Sequence, residues 1–131
     1  EDARQKVPVA RGPGTADRLP VAIRSAIGLF ETHIEDTIRI PDVAAAVEMS
    51  ARHFERLFKR ETGQSPLRYY RLLRLSKARQ RVLYSGDSLS EISASIGYAR
   101  PSQMKRDYAE AFGVSPQDER HLSGGARLAA E

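Results

Sequence analysis

Two segments of this chain carry polar side chains of the kinds that hydrogen-bond to the edges of nucleic-acid bases. In the first segment Arg52, Glu55 and Arg56 lie on the side of a predicted helix that is opposite its apolar residues. Arginine donates two hydrogen bonds to guanine O6 and N7, and glutamate accepts one from cytosine N4. The second segment places three polar side chains in the equivalent early turns: Ser102, Gln103 and Arg106. Glutamine pairs with adenine N6 and N7. Since both segments carry side chains that match base edges, both are predicted to contact bases.

The basic residues of the chain are concentrated in one stretch. Residues 52–81 contain ten basic and two acidic side chains, a net charge of +8, whereas the whole chain has a net charge of +4. This asymmetry favours a polyanionic partner, although a solvated helix surface would produce the same pattern. Four side chains beside the candidate base-contacting residues are predicted to contact phosphates: His53, Lys59, Arg60 and Lys105.

Several charged and aromatic residues have two interpretations on sequence alone. Arg52 and Arg56 can pair with Glu55 at a solvated surface instead of reading bases. A basic stripe follows at helical spacing in Arg71, Arg74, Lys77 and Arg81, and Arg74 in particular can be an ion-pair partner inside the domain. Tyr69 and Tyr70 are predicted to be core residues rather than stacking platforms for bases.

Other kinds of site are not supported by the composition. The chain has no cysteine and three widely separated histidines, so no metal site or cofactor site is predicted, and the chain is not expected to be an enzyme. No apolar run is long enough to span a bilayer and the start is acidic, so neither a membrane protein nor a secreted protein is expected. A reducing, cytoplasmic location fits these features. The absence of an initiator methionine predicts that the chain is a piece of a longer protein.

An internal repeat defines the elements that position these residues. Residues 40–49 match residues 89–98 at an offset of 49, and residues 54–66 match residues 104–116 at an offset of 50. Apolar residues recur at three and four positions throughout, which predicts an all-α chain. Each repeat is read as a short helix, a tight turn and a longer helix, which is the spacing of a helix-turn-helix unit. The short helix of the first repeat is predicted over 40–48.

The predicted organisation has five segments. A flexible linker or arm at 1–18 precedes the first helix-turn-helix subdomain at 19–64, a connecting helix at 65–86, the second helix-turn-helix subdomain at 87–122 and a flexible tail at 123–131. The connecting helix over residues 66–84 has 19 residues, so its length is about 28 Å, close to the roughly 34 Å of one turn of B-DNA. The longer helix of each repeat is the predicted reading helix, the helix that contacts bases. The two reading helices of one chain are therefore predicted to enter successive major grooves, so that a single fragment binds as a monomer.

The sequence resembles the DNA-binding domain of AraC/XylS-type transcription regulators over about residues 20–121. The resemblance is carried by three runs: residues 52–66, Ile96-Gly97-Tyr98 and residues 111–116. It implies about seven helices in two helix-turn-helix subdomains, with double-stranded DNA as the partner. It also implies RNA polymerase as a further partner, a missing amino-terminal sensor domain, a role as an activator and a full-length protein that can be dimeric. Residues 66–70 and 73–75 are similar to the branch with an amidotransferase-like amino-terminal half.

The second repeat departs from the family pattern at several positions. Relatives of this kind usually carry an aromatic residue at Met104, a basic residue within 109–111 and a tyrosine at Glu119. Fewer cations mean fewer phosphate contacts, so the second unit is expected to hold DNA more weakly than the first. Two alternative functions are a helical protein-protein adaptor and an RNA-binding module, and the latter lacks the usual stacking aromatics on sheets or loops.

Overall fold

The computed structural model describes residues 18–130, with side chains described up to residue 124, and every regular element in that range is an α-helix. The helices are α1 Val21–Thr32, α2 Ile40–Ala46, α3 Ala51–Thr62, α4 Pro66–Tyr84, α5 Leu89–Ser95, α6 Pro101–Phe112 and α7 Pro116–Ala130. The prediction of an all-α chain with two helix-turn-helix repeats is confirmed, with α2 and α3 forming one repeat and α5 and α6 the other. In this range no helix is both long and apolar enough to cross a bilayer. Of the predicted arm at 1–18, residues 1–17 lie outside the described part of the chain.

The described residues form two compact units, 18–73 and 74–130, and the boundary falls inside α4. The sequence predicted a connecting helix at 65–86 as a segment of its own. Instead, the two halves of α4 bury side chains in different units. The first half contributes Tyr69, Tyr70 and Leu73 to the first unit, and the second half contributes Leu75, Ala78 and Val82 to the second.

The first unit is built around a cluster of aromatic rings. Phe30 of α1 stacks on Tyr70 with ring centroids 4.6 Å apart and meets the edge of Phe58 at 5.9 Å. Tyr69 meets Phe58 edge-on at 5.2 Å. The Tyr70 hydroxyl donates a hydrogen bond to the backbone carbonyl of His33. Both tyrosines are almost completely buried, so the prediction that they belong to the core is confirmed.

The core of the second unit combines apolar burial with polar links to α4. Its fully buried side chains include Ile92, Ile96, Met104, Tyr108 and Phe112. The Arg120 guanidinium of α7 donates to the carbonyl oxygens of Val82 at 3.0 Å, Arg81 at 3.2 Å and Ser85 at 3.3 Å. Because the last carbonyls of a helix have no partner within the helix, this arginine satisfies the carboxyl end of α4.

The turns of the two repeats have the same hydrogen bonds but different residues. In the second repeat Gly97 has φ +82°, and the Tyr98 amide donates to the Ser93 carbonyl at 3.0 Å. In the first repeat Glu48 takes the equivalent left-handed conformation with φ +62°, and the Met49 amide donates to the Ala44 carbonyl at 2.9 Å. Both are Schellman-type helix ends, in which a left-handed residue lets the chain reverse. The sequence shows a glycine in only one of these turns, and a glutamate adopts the left-handed conformation in the other.

Two predicted boundaries differ from the structure. Helix α2 ends at Ala46, because Glu48 leaves the right-handed helical region, whereas the helix was predicted to run to residue 48. Helix α7 continues to Ala130 and so includes most of the segment assigned to a flexible tail at 123–131. The alanine-rich run at 126–130 favours helix.

Candidate nucleic-acid interface

Helix α3 is fixed at both ends and along one side. The Ser50 hydroxyl accepts a hydrogen bond from the His53 amide at 3.1 Å and so caps the amino terminus. Gly63, with φ +82°, ends the helix in the left-handed conformation that glycine adopts without steric cost. Three large side chains face the core of the first unit: Phe54, Leu57 and Phe58. The opposite side of α3 is therefore held at a defined orientation.

That outer side carries every residue of the first repeat that was predicted to contact a base or a phosphate. All six are exposed: Arg52, His53, Glu55, Arg56, Lys59 and Arg60. Within the described residues, the side chains of Arg52, Glu55 and Arg56 form no hydrogen bond or ion pair, so the alternative in which Glu55 neutralises either arginine is not the arrangement in the structure. Arg60 has a long contact of 3.5 Å to Glu61 and remains 73% exposed. The donors of α3 face solvent, where a ligand can reach them.

Three arginines of the basic stretch are engaged inside the second unit. The Arg74 Nε donates to the Ile96 carbonyl at 2.8 Å, and its guanidinium lies 4.7 Å from the centroid of the Tyr98 ring. Arg79 forms a bidentate ion pair with Glu119, with Nη2 to Oε2 at 2.7 Å. Arg81 binds the Asp87 carboxylate, with Nε at 3.0 Å from Oδ2, and this hydrogen bond lowers the pKa of Asp87. The stripe predicted from helical spacing is thus divided between internal contacts and the surface.

Two side chains of that stripe remain on the surface. Lys77 is exposed and Arg71 is half-buried, and neither forms an ion pair within residues 18–130. Arg68, near the start of α4, is also exposed. These three cations and those of α3 make up the outward-facing positive charge of the basic stretch.

Helix α6 is the counterpart of α3 in the second unit. Pro101 occupies its first turn, and Gly113 ends it with φ +77°. Its inner side buries Met104, Tyr108 and Phe112. On the outer side, Ser102, Gln103 and Arg106 are exposed and Lys105 is half-buried. The structure therefore presents the candidate residues of both repeats on the outer sides of the equivalent helices.

Unlike α3, helix α6 holds its polar side chains in a hydrogen-bond network. Gln103 Nε2 donates to Asp107 Oδ1 at 2.9 Å, and Arg106 Nη1 makes a long contact of 3.4 Å to Gln103 Oε1. The other carboxylate oxygen of Asp107 accepts from the Tyr98 hydroxyl at 2.7 Å. Asp107 is not among the residues predicted from the sequence. The signal was present in the repeat, where Asp107 and Tyr98 stand at the positions of Leu57 and Met49.

Glu119 also has a role that was not predicted from the sequence. It was noted only as a departure from the family pattern, yet its carboxylate pairs with Arg79 and accepts a hydrogen bond from the Tyr108 hydroxyl at 2.5 Å. The pKa of the Tyr108 phenol is raised mainly by burial, and the hydrogen bond to the Glu119 carboxylate raises it further. The Arg79 guanidinium lies 4.8 Å from the centroid of the Phe112 ring. These contacts tie α7 and α4 to the inner side of α6.

Comparison with families and curated proteins gives consistent matches. Residues 43–121 match the helix-turn-helix domain family. The HTH-type transcriptional regulator GbdR of Pseudomonas aeruginosa is 33% identical over 120 residues, which are 92% of this chain and 32% of GbdR. The chain therefore spans about a third of the length of that curated relative.

Solved structures with the same arrangement of helices include AraC-type domains. A transcriptional regulator from Chromobacterium violaceum, described as an AraC-type DNA-binding domain-containing protein, is 32% identical with a TM-score of 0.73, covering 78% of this chain and 91% of its own. The DNA-binding domain of AdpA, solved in complex with a target DNA, has a TM-score of 0.77 at 23% identity, covering 82% of this chain and 96% of its own. At that identity the second likeness shows the fold alone.

Proposed function

The chain belongs to the helix-turn-helix domain family of AraC type, and from that premise we propose that it binds double-stranded DNA sequence-specifically as the DNA-binding part of a transcription regulator. The observation that carries the proposal is the repeated reading helix. Both α3 and α6 end at a left-handed glycine and are buried along one side, and the other side of each carries exposed side chains that match base edges.

In this proposal the two helices enter successive major grooves of one duplex. Arg52, Glu55 and Arg56 contact bases from α3, and α6 contributes Ser102, Gln103 and Arg106. The repeats are joined through α4, whose 19 residues make it about 28 Å long, and this length is compatible with one turn of B-DNA. A single chain then covers a site for which many helix-turn-helix proteins need a dimer, so we propose that it binds as a monomer.

The proposed phosphate contacts come from the surrounding cations. His53, Lys59 and Arg60 extend the exposed side of α3, and Lys105 lies on α6. Such contacts set the register of the protein on the duplex without reading its sequence. The engaged arginines of the second unit are not included, because their guanidinium groups already bind carboxylates, a carbonyl or an aromatic ring.

The remaining partners are proposed from the family resemblance. Because the chain spans about a third of GbdR, we propose that the complete regulator adds an amino-terminal sensor domain, of the amidotransferase-like type, that can make it dimeric. We also propose that it is an activator that contacts RNA polymerase, and that it is located in the cytoplasm, where the chromosome is accessible.

The proposal is tested by selecting bound duplexes from a random pool with the 131-residue chain. We expect a defined consensus with two half-sites whose centres are about one helical turn apart. Sedimentation should find one chain on the shortest competent duplex. Recovery of random sequences, or two chains on that duplex, would contradict the proposal.

A matched pair of variants controls for general effects of charge. Arg56→Ala should weaken binding to the selected duplex, whereas Arg24→Ala removes an exposed arginine of α1 and should leave binding unchanged. A protein-protein adaptor would show no preference among duplexes and no steep loss of duplex affinity with salt. An RNA-binding module would prefer single strands over the duplex.

A further inference from the structure

We propose that Asp107 is the positioning residue that sets the base preference of the second reading helix, an inference that rests on the proposed DNA-binding function. Asp107 lies one turn after Gln103 on α6 and is half-buried. Its two carboxylate oxygens are both used, one by Gln103 and one by Tyr98. It acts through Gln103 rather than by touching a base itself.

The chemistry of its neighbours allows only one orientation of the Gln103 amide. An ionised carboxylate accepts hydrogen bonds and cannot donate them, so the amide must turn its Nε2 towards Asp107. A guanidinium donates and cannot accept, so the amide oxygen must face Arg106. In this orientation one N–H and one oxygen lone pair of Gln103 remain free. Adenine offers the complementary acceptor N7 and donor N6 in the major groove.

Asp107 is itself held from the other side. The Tyr98 hydroxyl fixes one carboxylate oxygen at 2.7 Å, and the Tyr98 ring lies under the Arg74 guanidinium at 4.7 Å. Arg74 in turn is anchored on the Ile96 carbonyl. A chain of contacts therefore runs from α4, through the turn before α6, to the exposed amide of Gln103.

The first repeat contains the natural comparison. Leu57 and Met49 stand at the positions of Asp107 and Tyr98, and Leu57 is buried while Met49 packs on the core of the first unit. The outward side chains of Arg52 and Arg56 have no partner of this kind within the described residues. The second repeat thus has a carboxylate where the first has an apolar core residue, and its reading helix carries the amide that this carboxylate contacts.

The test compares base preference among variants of the 131-residue chain. The duplex obtained by selection is changed at each base pair in turn, and Gln103→Ala identifies the pair that Gln103 reads. At that pair we expect wild-type discrimination of about 5- to 150-fold, the range for one bidentate contact. Asp107→Asn can both accept and donate, so it admits either orientation of the Gln103 amide and should reduce this discrimination by about fivefold or more.

Two further variants separate positioning from charge and from folding. Tyr98→Phe keeps the ring under Arg74 but removes the hydroxyl, and it should reduce discrimination at the same base pair. Glu110→Gln removes an exposed acid from the same helix and should tighten binding to all duplexes equally, with preference unchanged. Thermal unfolding by circular dichroism should show each variant folded at the assay temperature.

The possible results distinguish this inference from the proposed function. If the wild-type chain shows no preference among duplexes, the DNA-reading proposal fails as a whole. If the wild type discriminates, and both Asp107→Asn and Tyr98→Phe retain full discrimination at the pair that Gln103 reads, the positioning role is overturned while the proposed function stands. The same conclusion follows if Gln103→Ala changes no base preference.

Discussion

The salt dependence of duplex binding distinguishes the charge seen in the sequence from the charge that the folded chain presents. Among the cations of residues 52–81 and of α6, six lie outside the close ion pairs, the carbonyl contact of Arg74 and the candidate base contacts: Lys59, Arg60, Arg68, Arg71, Lys77 and Lys105. Each neutralised phosphate contributes about −0.9 to the slope of log K against log salt, so these cations predict a slope of about −5. A fourfold rise in salt concentration should then weaken binding by about a thousandfold.

Counting charge without the structure gives a different slope. If Arg74, Arg79 and Arg81 also neutralised phosphates, the slope would be about −8. Fluorescence anisotropy with a labelled duplex of the selected sequence, measured between about 50 and 200 mM salt, separates the two values. Lys59→Gln should reduce the steepness by about 0.9, whereas Arg24→Gln on α1 should not change it. A slope near −8 would refute the internal assignment of the three arginines, and a slope of −1 or shallower would show that the basic stretch is merely solvated.

Three further outcomes are expected. Arg56→Ala should weaken binding to the selected duplex by about 1–3 kcal/mol and relax preference at one base pair. Arg106→Ala should act at a base pair about one turn away and weaken binding less, because few cations surround Arg106. The reverse order of the two losses in a binding assay would contradict the ranking of the units. Glu48→Gly should raise the free energy of unfolding by about 0.5–1 kcal/mol, because glycine adopts the left-handed conformation without strain, and a loss of stability in urea unfolding would count against this reasoning. Ser93→Ala should stabilise the chain by about 1 kcal/mol, because the buried Ser93 hydroxyl has no hydrogen-bond partner among the described residues. Ala44→Ser at the equivalent position of the first repeat should destabilise the chain. A Ser93→Ala variant that is less stable in urea unfolding would contradict the reasoning.

Local sequence signals were sufficient to place most of the helices. The ends of helix α3 follow from local residues, because Ser50 caps its amino terminus and Gly63 ends it. The same holds for the capping box at the start of α5, where the Ser88 hydroxyl accepts from the Glu91 amide and the Glu91 carboxylate accepts from the Ser88 amide. Helical periodicity is also a local signal, and it was sufficient to predict that the candidate DNA-contacting residues are exposed.

Features that depend on contacts distant in the chain could not be obtained in this way. Arg74 reaches a carbonyl 22 residues away, and Arg79 reaches a carboxylate 40 residues away. Helical spacing therefore left Arg74 open between a surface stripe and a partner inside the domain, and it did not identify the partner of Arg79. The left-handed conformation of Glu48 was not predicted, because such a position is usually marked by glycine or asparagine and not by glutamate. Aligning the repeats closely would have revealed it, since Glu48 stands at the position of Gly97.

The two repeats hold their reading helices with different chemistry, and this affects how base preference can change. In the first unit Leu57 fixes α3 by apolar burial, which is not directional and leaves the rotamers of Arg52 and Arg56 able to adjust to the bases proposed for them. In the second unit the Asp107 carboxylate is directional, and it dictates which way the Gln103 amide points. Replacing Gln103 alone leaves a carboxylate facing the duplex with one hydrogen-bond partner removed. Under the proposed base contacts, we therefore expect that redirecting position 103 to a different base needs substitutions at both 103 and 107, whereas a single substitution at Arg52 or Arg56 is sufficient in α3.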